Sequence, residues 1–199
     1  MNMRGRRAPL SDLDSLKINV TRAQSLTNIN RIAFSPMTEI IGGYKGYFNF
    51  ESYWQSGKVY ENVPPSVTKR WWKNLREPKR RYPGSKNMKV LYAIFDGNPE
   101  RMDYITSRKK VYVPEYYEMI KNKKITLKWK DIVRSGQSVT VYDFDGPRTA
   151  AGDVMCLEVT KNMLIEKIND PSKQFGHGYV VAGYLAGIVP DMYIDLWRL

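Results

Sequence analysis

The sequence is short of the residues from which several common kinds of site are built. It has one cysteine and one histidine among 199 residues. An intramolecular disulfide and a multi-cysteine zinc site are therefore excluded, and we expect neither a metal nor a cofactor. A P-loop, a dinucleotide-binding fingerprint, an HExxH motif and a GxSxG motif are also absent. These absences remove the commonest NTPase, oxidoreductase, zinc-protease and serine-hydrolase interpretations.

Long hydrophobic runs are missing as well. No stretch of about 18 apolar residues is present, and the basic start at residues 1–7 is not followed by the apolar segment of a signal peptide. We therefore expect an intracellular, cytoplasmic protein with no membrane association. The single cysteine, Cys156, lies in a strand-like segment at 153–159. We expect it to be an inert thiol in the core.

Positive charge is abundant. The chain carries 32 Lys and Arg against 20 Asp and Glu, a net charge of +12 and a pI of about 9.7. Such an excess favours binding to nucleic acid or to a phosphorylated ligand, although a basic protein without such a partner is the alternative. The hydrophobic fraction of 42% is that of a globular protein. We expect a flexible basic arm at residues 1–15 and a single globular domain at 16–199.

The hydrophobic patterns indicate both helices and short strands. Thr160 is the expected N-cap of a helix that continues to Ile168, and residues 175–186 form a second, highly apolar helix. Further segments are interpreted as strands at 16–20, 31–34, 125–129 and 138–142, and as a helix at 99–106. The predicted fold class is α+β and mostly helical.

One stretch combines several polar groups on a largely apolar helix. Asn49 is the expected N-cap of a helix over residues 49–61. Within it, Glu51, Gln55 and Lys58 are spaced i, i+4 and i+7, so they share one face. A solvent-facing stripe with a weak Glu–Lys pair, worth about 0.3 kcal/mol, is the simple alternative.

The spacing Glu51-x-Tyr53-x-Gln55-x-x-Lys58, preceded by a Phe-Ser-Pro loop at 34–36 and a Gly-Gly turn at 42–43, resembles the NADAR superfamily of ADP-ribose glycosidases. The resemblance covers roughly residues 30–190 and is that of a divergent relative. It implies a mostly helical NADAR-like domain in which Lys58 is the nucleophile, Glu51 moves protons and Gln55 holds ribose hydroxyls. In this family the loop helps to bind ADP-ribose, which makes Ser35 a ligand contact, and we also expect one from Trp54.

Two polar groups in the second half of the chain are further candidates. Asp143 and Asp145 follow a predicted strand beside a Gly-Pro turn, where they either orient a ribose or a water, or cap the turn. His177 lies at the start of a predicted helix between two glycines, and a helix N-terminus favours its neutral form. We place it among the catalytic candidates, with a structural role as the alternative.

A basic and aromatic segment follows the central helix. Trp71, Trp72 and Tyr82 are interleaved there with cations, and one tryptophan is expected in the core. Lysine and arginine neutralise phosphates while aromatic rings stack on unpaired bases, so the segment favours single-stranded or locally opened nucleic acid. The expected nucleic-acid contacts are Lys69, Arg70, Lys73, Arg76, Arg80, Arg81 and Lys86.

Two functions follow from these observations. The first is an N-glycosidase, a hydrolase that removes ADP-ribose or a related ribosyl adduct from a nucleobase in nucleic acid or a nucleotide. The second is a non-catalytic basic nucleic-acid-binding protein, such as a phage or another mobile element encodes. An enzyme acting on modified bases without ADP-ribose is a third possibility.

Overall fold

A computed structural model describes residues 1–5, 15–21 and 25–189. The chain divides into two compact units. We call them the discontinuous unit, Met1–Ser35 with Arg108–Leu199, and the central unit, Pro36–Ser107. Helices and two sheets are both present, so the mixed α and β character is confirmed. The NADAR-like type of fold stays a prediction.

The discontinuous unit is built on four strands, β1 (Asn2–Gly5), β2 (Leu16–Asn19), β6 (Val139–Asp143) and β7 (Cys156–Glu158). They form one sheet of order β2-β6-β1-β7. Strand β6 runs parallel to both β1 and β2, whereas β7 is antiparallel to β1. Every residue of β6 is buried, as is typical of a strand with parallel neighbours on both sides.

The expected basic arm is wrong for residues 2–5. This segment is strand β1, which lies between β6 and β7, and Met3 is fully buried. The backbone amide of Val159 also donates to the Met1 carbonyl at 3.0 Å. The pairing partners lie more than 130 residues away in sequence, so no local pattern indicated the strand. Residues 6–14 of the expected arm lie outside the described residues.

Helices of the discontinuous unit complete its core. They are α1 (Ile29–Phe34), α5 (Val113–Ile120), α6 (Lys124–Arg134), α7 (Lys161–Asn169) and α8 (His177–Leu185), with a π-helical turn at Arg108–Tyr112. The Thr160 cap is confirmed, since its hydroxyl accepts from the Met163 amide at 3.2 Å. Helix α8 is buried from Gly178 to Leu185 and packs on β6 and β1.

Several predicted elements are wrong. Residues 31–34 and 125–129 lie in α1 and α6 rather than in strands. Residues 99–106 divide between a strand and a short helix. Apolar and polar residues alternate at 125–129, which favoured a strand, but Ile125, Trp129 and Ile132 also have the i, i+4, i+7 spacing of a helix face. Helix α6 is joined to α1 by a hydrogen bond from Trp129 Nε1 to Asn30 Oδ1 at 2.8 Å.

Cys156 lies in a strand, as expected, but its side chain is exposed. Strand β7 pairs on one side with β1 and has an exposed-intermediate-exposed pattern. The prediction of a core thiol is therefore wrong, because side chains alternate between the two faces of a strand and Cys156 shares the exposed face with Glu158.

The central unit contains a smaller antiparallel sheet of order β3-β4-β5. Its elements are α2 (Phe50–Ser56), β3 (Lys58–Tyr60), α3 (Pro65–Lys73), β4 (Val90–Phe95), β5 (Asn98–Met102) and α4 (Tyr104–Ser107). Helix α2 carries an aromatic core in which the Tyr53 ring lies 5.5 Å from that of Phe95 and 5.7 Å from that of Tyr47.

No helix among the described residues is long and apolar enough to cross a membrane.

Candidate functional site

Helix α2 is set in place by its own first residues. Asn49 is extended and its side chain accepts from the Ser52 amide at 2.8 Å, which confirms the predicted N-cap. The Asn49 amide nitrogen also donates to the Met37 carbonyl at 2.9 Å. One turn apart on this helix, Gln55 Nε2 donates to Glu51 Oε1 at 2.7 Å. Glu51 and Gln55 therefore share one face of the helix, as the sequence predicted, whereas the hydrogen bond between them was not predicted.

Lys58 is not on this helix, which corrects the prediction of a helix over 49–61. The helix ends at Ser56, and Lys58 begins strand β3, where it pairs with Ala93 of β4. Gly57 makes the change of direction possible, because a Cβ there would lie 2.3 Å from the Phe95 ring. Val59 continues the strand opposite Tyr92, and a β-branched residue favours the extended backbone.

A cavity of about 410 Å³ lies in the central unit, with Lys58 in its lining. This volume falls within the range of small-molecule sites. Its wall is mostly apolar and aromatic, and the residues that matter for chemistry are Trp54, Lys58, Tyr92, Phe95, Asp103 and Tyr104. The Trp54 indole is buried and stacks on the Phe95 ring at a centroid distance of 5.5 Å. One face of Trp54 is thus held by the protein.

The Lys58 amine has an unusual electrostatic setting. Desolvation by the surrounding protein lowers its pKa from the ordinary lysine value, the nearby Glu51 carboxylate opposes this shift, and the Arg81 guanidinium adds to it. A lysine with a lowered pKa has a larger neutral fraction near neutral pH, and only the neutral amine is a nucleophile. Trp54 and Lys58 therefore line one cavity, with the Glu51 carboxylate near the amine. Glu51 and Gln55 are not among the residues that line it.

Arg81 was predicted only as a nucleic-acid contact, and its influence on Lys58 was not foreseen. The neighbouring Tyr82 ring stacks on Tyr60 of β3 at a centroid distance of 6.0 Å, which holds residues 81–82 beside the strand that carries Lys58. Asp103, Tyr104 and Tyr92 in the cavity wall were also missed. Their sequence neighbourhoods contain no motif, so only the folded chain reveals them.

Asp143 and His177 form a second group, in the discontinuous unit. Asp143 is buried, and its Oδ2 accepts from the Gly178 amide at 2.8 Å while Oδ1 accepts from the Phe144 amide at 2.6 Å. The His177 Nδ1 atom lies 3.5 Å from the same Oδ2. Asp143 thus caps α8 from a neighbouring strand, a role that the sequence analysis did not consider. Its Oδ1 contact with the next amide is local to the turn, as in the predicted turn-capping role.

His177 is held on its other side as well. Its Nε2 atom lies 3.2 Å from the Val20 carbonyl oxygen, which only accepts, so Nε2 carries a hydrogen and donates it. A Cβ at Gly178 would lie 2.5 Å from that of Asp143, so the glycine permits this close approach of α8 to the strand end. These contacts make the structural role of His177 the better interpretation, and we do not retain it as a catalytic residue.

Two predicted ligand contacts are not among the residues that line the Lys58 cavity. Ser35 is buried at the C-terminal end of α1, where its backbone amide donates to the Arg31 carbonyl at 2.8 Å. Asp145 lines a separate cavity of the discontinuous unit. Their roles as ligand contacts stay predictions.

The basic segment is partly committed to internal contacts. Trp72 is fully buried, which confirms one core tryptophan, and the Trp71 ring meets the Tyr82 ring edge-on at 5.4 Å. Lys69 and Lys73 both pair with Asp96, at 2.8 and 2.9 Å. These bonds lower the pKa of Asp96 to about 2, the Lys69 contact most strongly. The remaining cations predicted to contact nucleic acid are exposed: Arg70, Arg76, Arg80, Arg81 and Lys86.

Within the described residues, no group of three or more His, Cys, Asp or Glu side chains is placed to hold a metal ion. Comparison with known proteins finds no matching family model, no similar curated protein and no similar solved structure.

Proposed function

We propose that this protein is an N-glycosidase that removes ADP-ribose, or a related ribosyl adduct, from a nucleobase, with Lys58 as its nucleophile. The observation that carries the proposal is the lysine amine in the wall of an aromatic cavity, with its pKa lowered by desolvation. Keeping a desolvated lysine lowers stability, so its presence in a cavity favours a chemical role.

The Lys58 amine attacks the anomeric carbon of the ribose as the bond from that carbon to the nucleobase breaks. Glu51 takes the proton that the attacking amine loses and passes it to the departing base. The ribose ring then opens to a Schiff base with Lys58, and water hydrolyses this link to release the sugar and restore the amine. Gln55 donates to Glu51 at 2.7 Å and so fixes the carboxylate, and its amide oxygen remains to bind a ribose hydroxyl.

The test is release of free ADP-ribose from guanine-ADP-ribosylated single-stranded DNA. Lys58→Ala and Lys58→Arg are both expected to lower turnover by a factor of about 10³ or more, because arginine keeps the charge but offers no neutral amine. Borohydride added during turnover should trap a covalent adduct with the native protein and none with Lys58→Arg. Lys128→Ala removes an exposed lysine of α6 and is the matched control.

The result that would contradict the proposal is clear. Native protein that is folded but releases no ADP-ribose, or a Lys58→Ala variant that keeps native turnover, would remove Lys58 from this role. Turnover without borohydride trapping, lost only in Glu51→Ala, would replace the covalent route by direct attack of water.

A second candidate function is binding of nucleic acid without catalysis. It is favoured by the exposed cations Arg76, Arg80, Arg81 and Lys86, which no acidic residue pairs with in the described part of the chain. Arg80→Ala with Arg81→Ala should weaken binding to single-stranded DNA and reduce the slope of log K against log salt by about 1.4. Lys69→Ala should change this slope less, because Lys69 is already paired with Asp96.

A further inference from the structure

A larger cavity lies wholly within the discontinuous unit and shares no residue with the Lys58 cavity. Its volume is about 550 Å³. The side chains that give it its chemistry are Phe144, Asp145, Arg148, Lys167, Lys173 and Tyr179. Aromatic, acidic and basic groups therefore face one space of small-ligand size.

One wall is a short hairpin fixed by its own backbone. Arg148 and Val154 form an antiparallel bridge, the Met155 amide donates to the Pro147 carbonyl at 3.0 Å, and the Thr149 amide donates to the Asp153 carbonyl at 2.8 Å. These bonds fix the hairpin that carries Arg148.

The part of the wall formed by residues 170–174 is held by Arg108, which is 1% exposed. Its guanidinium donates to the Asp170 carbonyl at 2.9 Å and also to the Lys173 carbonyl. Asp170 in turn accepts from both the amide and the hydroxyl of Ser172, at 2.8 and 2.6 Å. Burying a guanidinium is unfavourable, and here it fixes the segment from which Lys173 projects.

Tyr179 supplies a hydroxyl group that no described residue bonds. The residue is 2% exposed, its ring stacks on Phe175 at 4.9 Å, and its hydroxyl has no hydrogen-bond partner among the described residues. Burial, with smaller contributions from Asp143 and Asp145, raises the pKa of Tyr179 well above that of an ordinary tyrosine. The hydroxyl therefore stays protonated and can donate to a ligand.

Phe144 offers a ring on which a base can stack, and Lys167 and Lys173 offer cations that can bind a phosphate. The Phe144 side chain is 51% exposed and no aromatic partner within the described chain covers its ring. An exposed ring beside cations is the combination that binds a base and a phosphate together. Lys173 has no ion pair with a described acid, whereas Lys167 is partly neutralised by Glu166 at 2.7 Å.

We propose that this cavity is a second binding site, for a nucleoside phosphate. The base stacks on Phe144, the ribose hydroxyls bond to Asp145 and Tyr179, and the phosphate binds Lys173 with support from Lys167. The site is independent of the proposed glycosidase, since none of its residues belongs to the Lys58 cavity. The ligand is either a free nucleotide or one residue of a nucleic acid, and the chemistry of recognition is the same for both.

The experiment measures binding of AMP and of a short oligodeoxyadenylate by calorimetry, in a Lys58→Ala background that removes the proposed chemistry. Phe144→Ala should weaken binding about tenfold through lost stacking. Tyr179→Phe should weaken it about fivefold, because one hydrogen bond to the ligand is lost. Lys173→Glu should weaken it at least as much and reduce its salt dependence. Lys128→Glu, at an exposed position of α6, is the matched control and should leave AMP binding unchanged.

Adenosine, which lacks the phosphate, should bind more weakly than AMP. Equal affinity for AMP and for the oligonucleotide would show that the site recognises a single nucleotide unit. Tighter binding of the oligonucleotide that still depends on Phe144 and Tyr179 would place a nucleic acid in the site. No saturable binding of either probe up to about 1 mM would overturn the proposal, and so would binding that all three variants leave unchanged. Failure of ADP-ribose release alone would leave this site unaffected.

Discussion

The two groups of candidate catalytic residues use their polar atoms in opposite ways. Around Asp143 and His177, both carboxylate oxygens and the Nε2 atom of the ring are bonded to the backbone of the same unit. Around Lys58, the amine has no hydrogen bond or ion pair with a described residue, although protein atoms desolvate it. A polar group that is fully bonded holds the fold together, whereas one kept unsatisfied beside a cavity is available for a ligand.

The largest effect should come from Asp143→Ala. The substitution leaves the buried Gly178 amide without its acceptor and opens a space beside His177, so we expect a loss of roughly 3 kcal/mol in the free energy of unfolding. Urea denaturation measures it, with Asp131→Ala on the exposed face of α6 as the control. A loss within about 0.5 kcal/mol would show that the capping interpretation is wrong.

Lys58→Met should increase the free energy of unfolding rather than lower it. Replacing a desolvated amine by an apolar side chain of similar length should raise the free energy of unfolding by about 1 kcal/mol near neutral pH. Because the folded-state pKa of Lys58 is lowered, the native protein should gain stability as pH rises through the window between that pKa and 10.5. The variant should lose this gain. Equal pH dependence of the two proteins would contradict the desolvation argument.

His177→Gln tests whether His177 has a structural role or a catalytic one. An amide can still donate to the Val20 carbonyl, so we expect a loss of no more than about 1 kcal/mol in stability. In the glycosidase assay, kcat per folded molecule and its pH profile should stay native. A kcat reduced about a hundredfold in a fully folded variant would return His177 to the catalytic candidates.

Asp96→Asn should have the smallest effect. The carboxylate joins α3 to the turn between β4 and β5 through Lys69, Lys73 and the Tyr47 hydroxyl, but it is 43% exposed. We expect a loss of about 0.5 kcal/mol, reduced further at high salt. Since the folded-state pKa of Asp96 is about 2, its contribution is complete above pH 3.8 and is lost as pH falls through 2. In acid unfolding, the Asp96→Asn variant should not show the loss of stability that the native protein shows as pH falls through 2. Identical acid-unfolding curves for the two proteins would contradict the ion-pair interpretation.

Local chemistry in the sequence was sufficient for several features. The Asn49 and Thr160 caps depend on a side chain bonding an amide three residues later, and the Glu51–Gln55 pair depends on one helical turn. The apolar helix α8 follows from a continuous hydrophobic run, and strand β6 follows from its β-branched and aromatic residues. In each case the interacting groups lie within a few residues of each other, so the pattern is visible in the sequence alone.

Other features were decided by the tertiary structure, because the residues that interact to form them are distant in sequence. Strand β1 exists by pairing with residues 140–143, and Lys58 leaves the helix because β3 pairs with β4. The lowered pKa of Lys58, the capping of α8 by Asp143 and the open hydroxyl of Tyr179 all depend on desolvation or on bonds across the fold. Burial and long-range hydrogen bonding are properties of the packed chain, and residue spacing does not encode them.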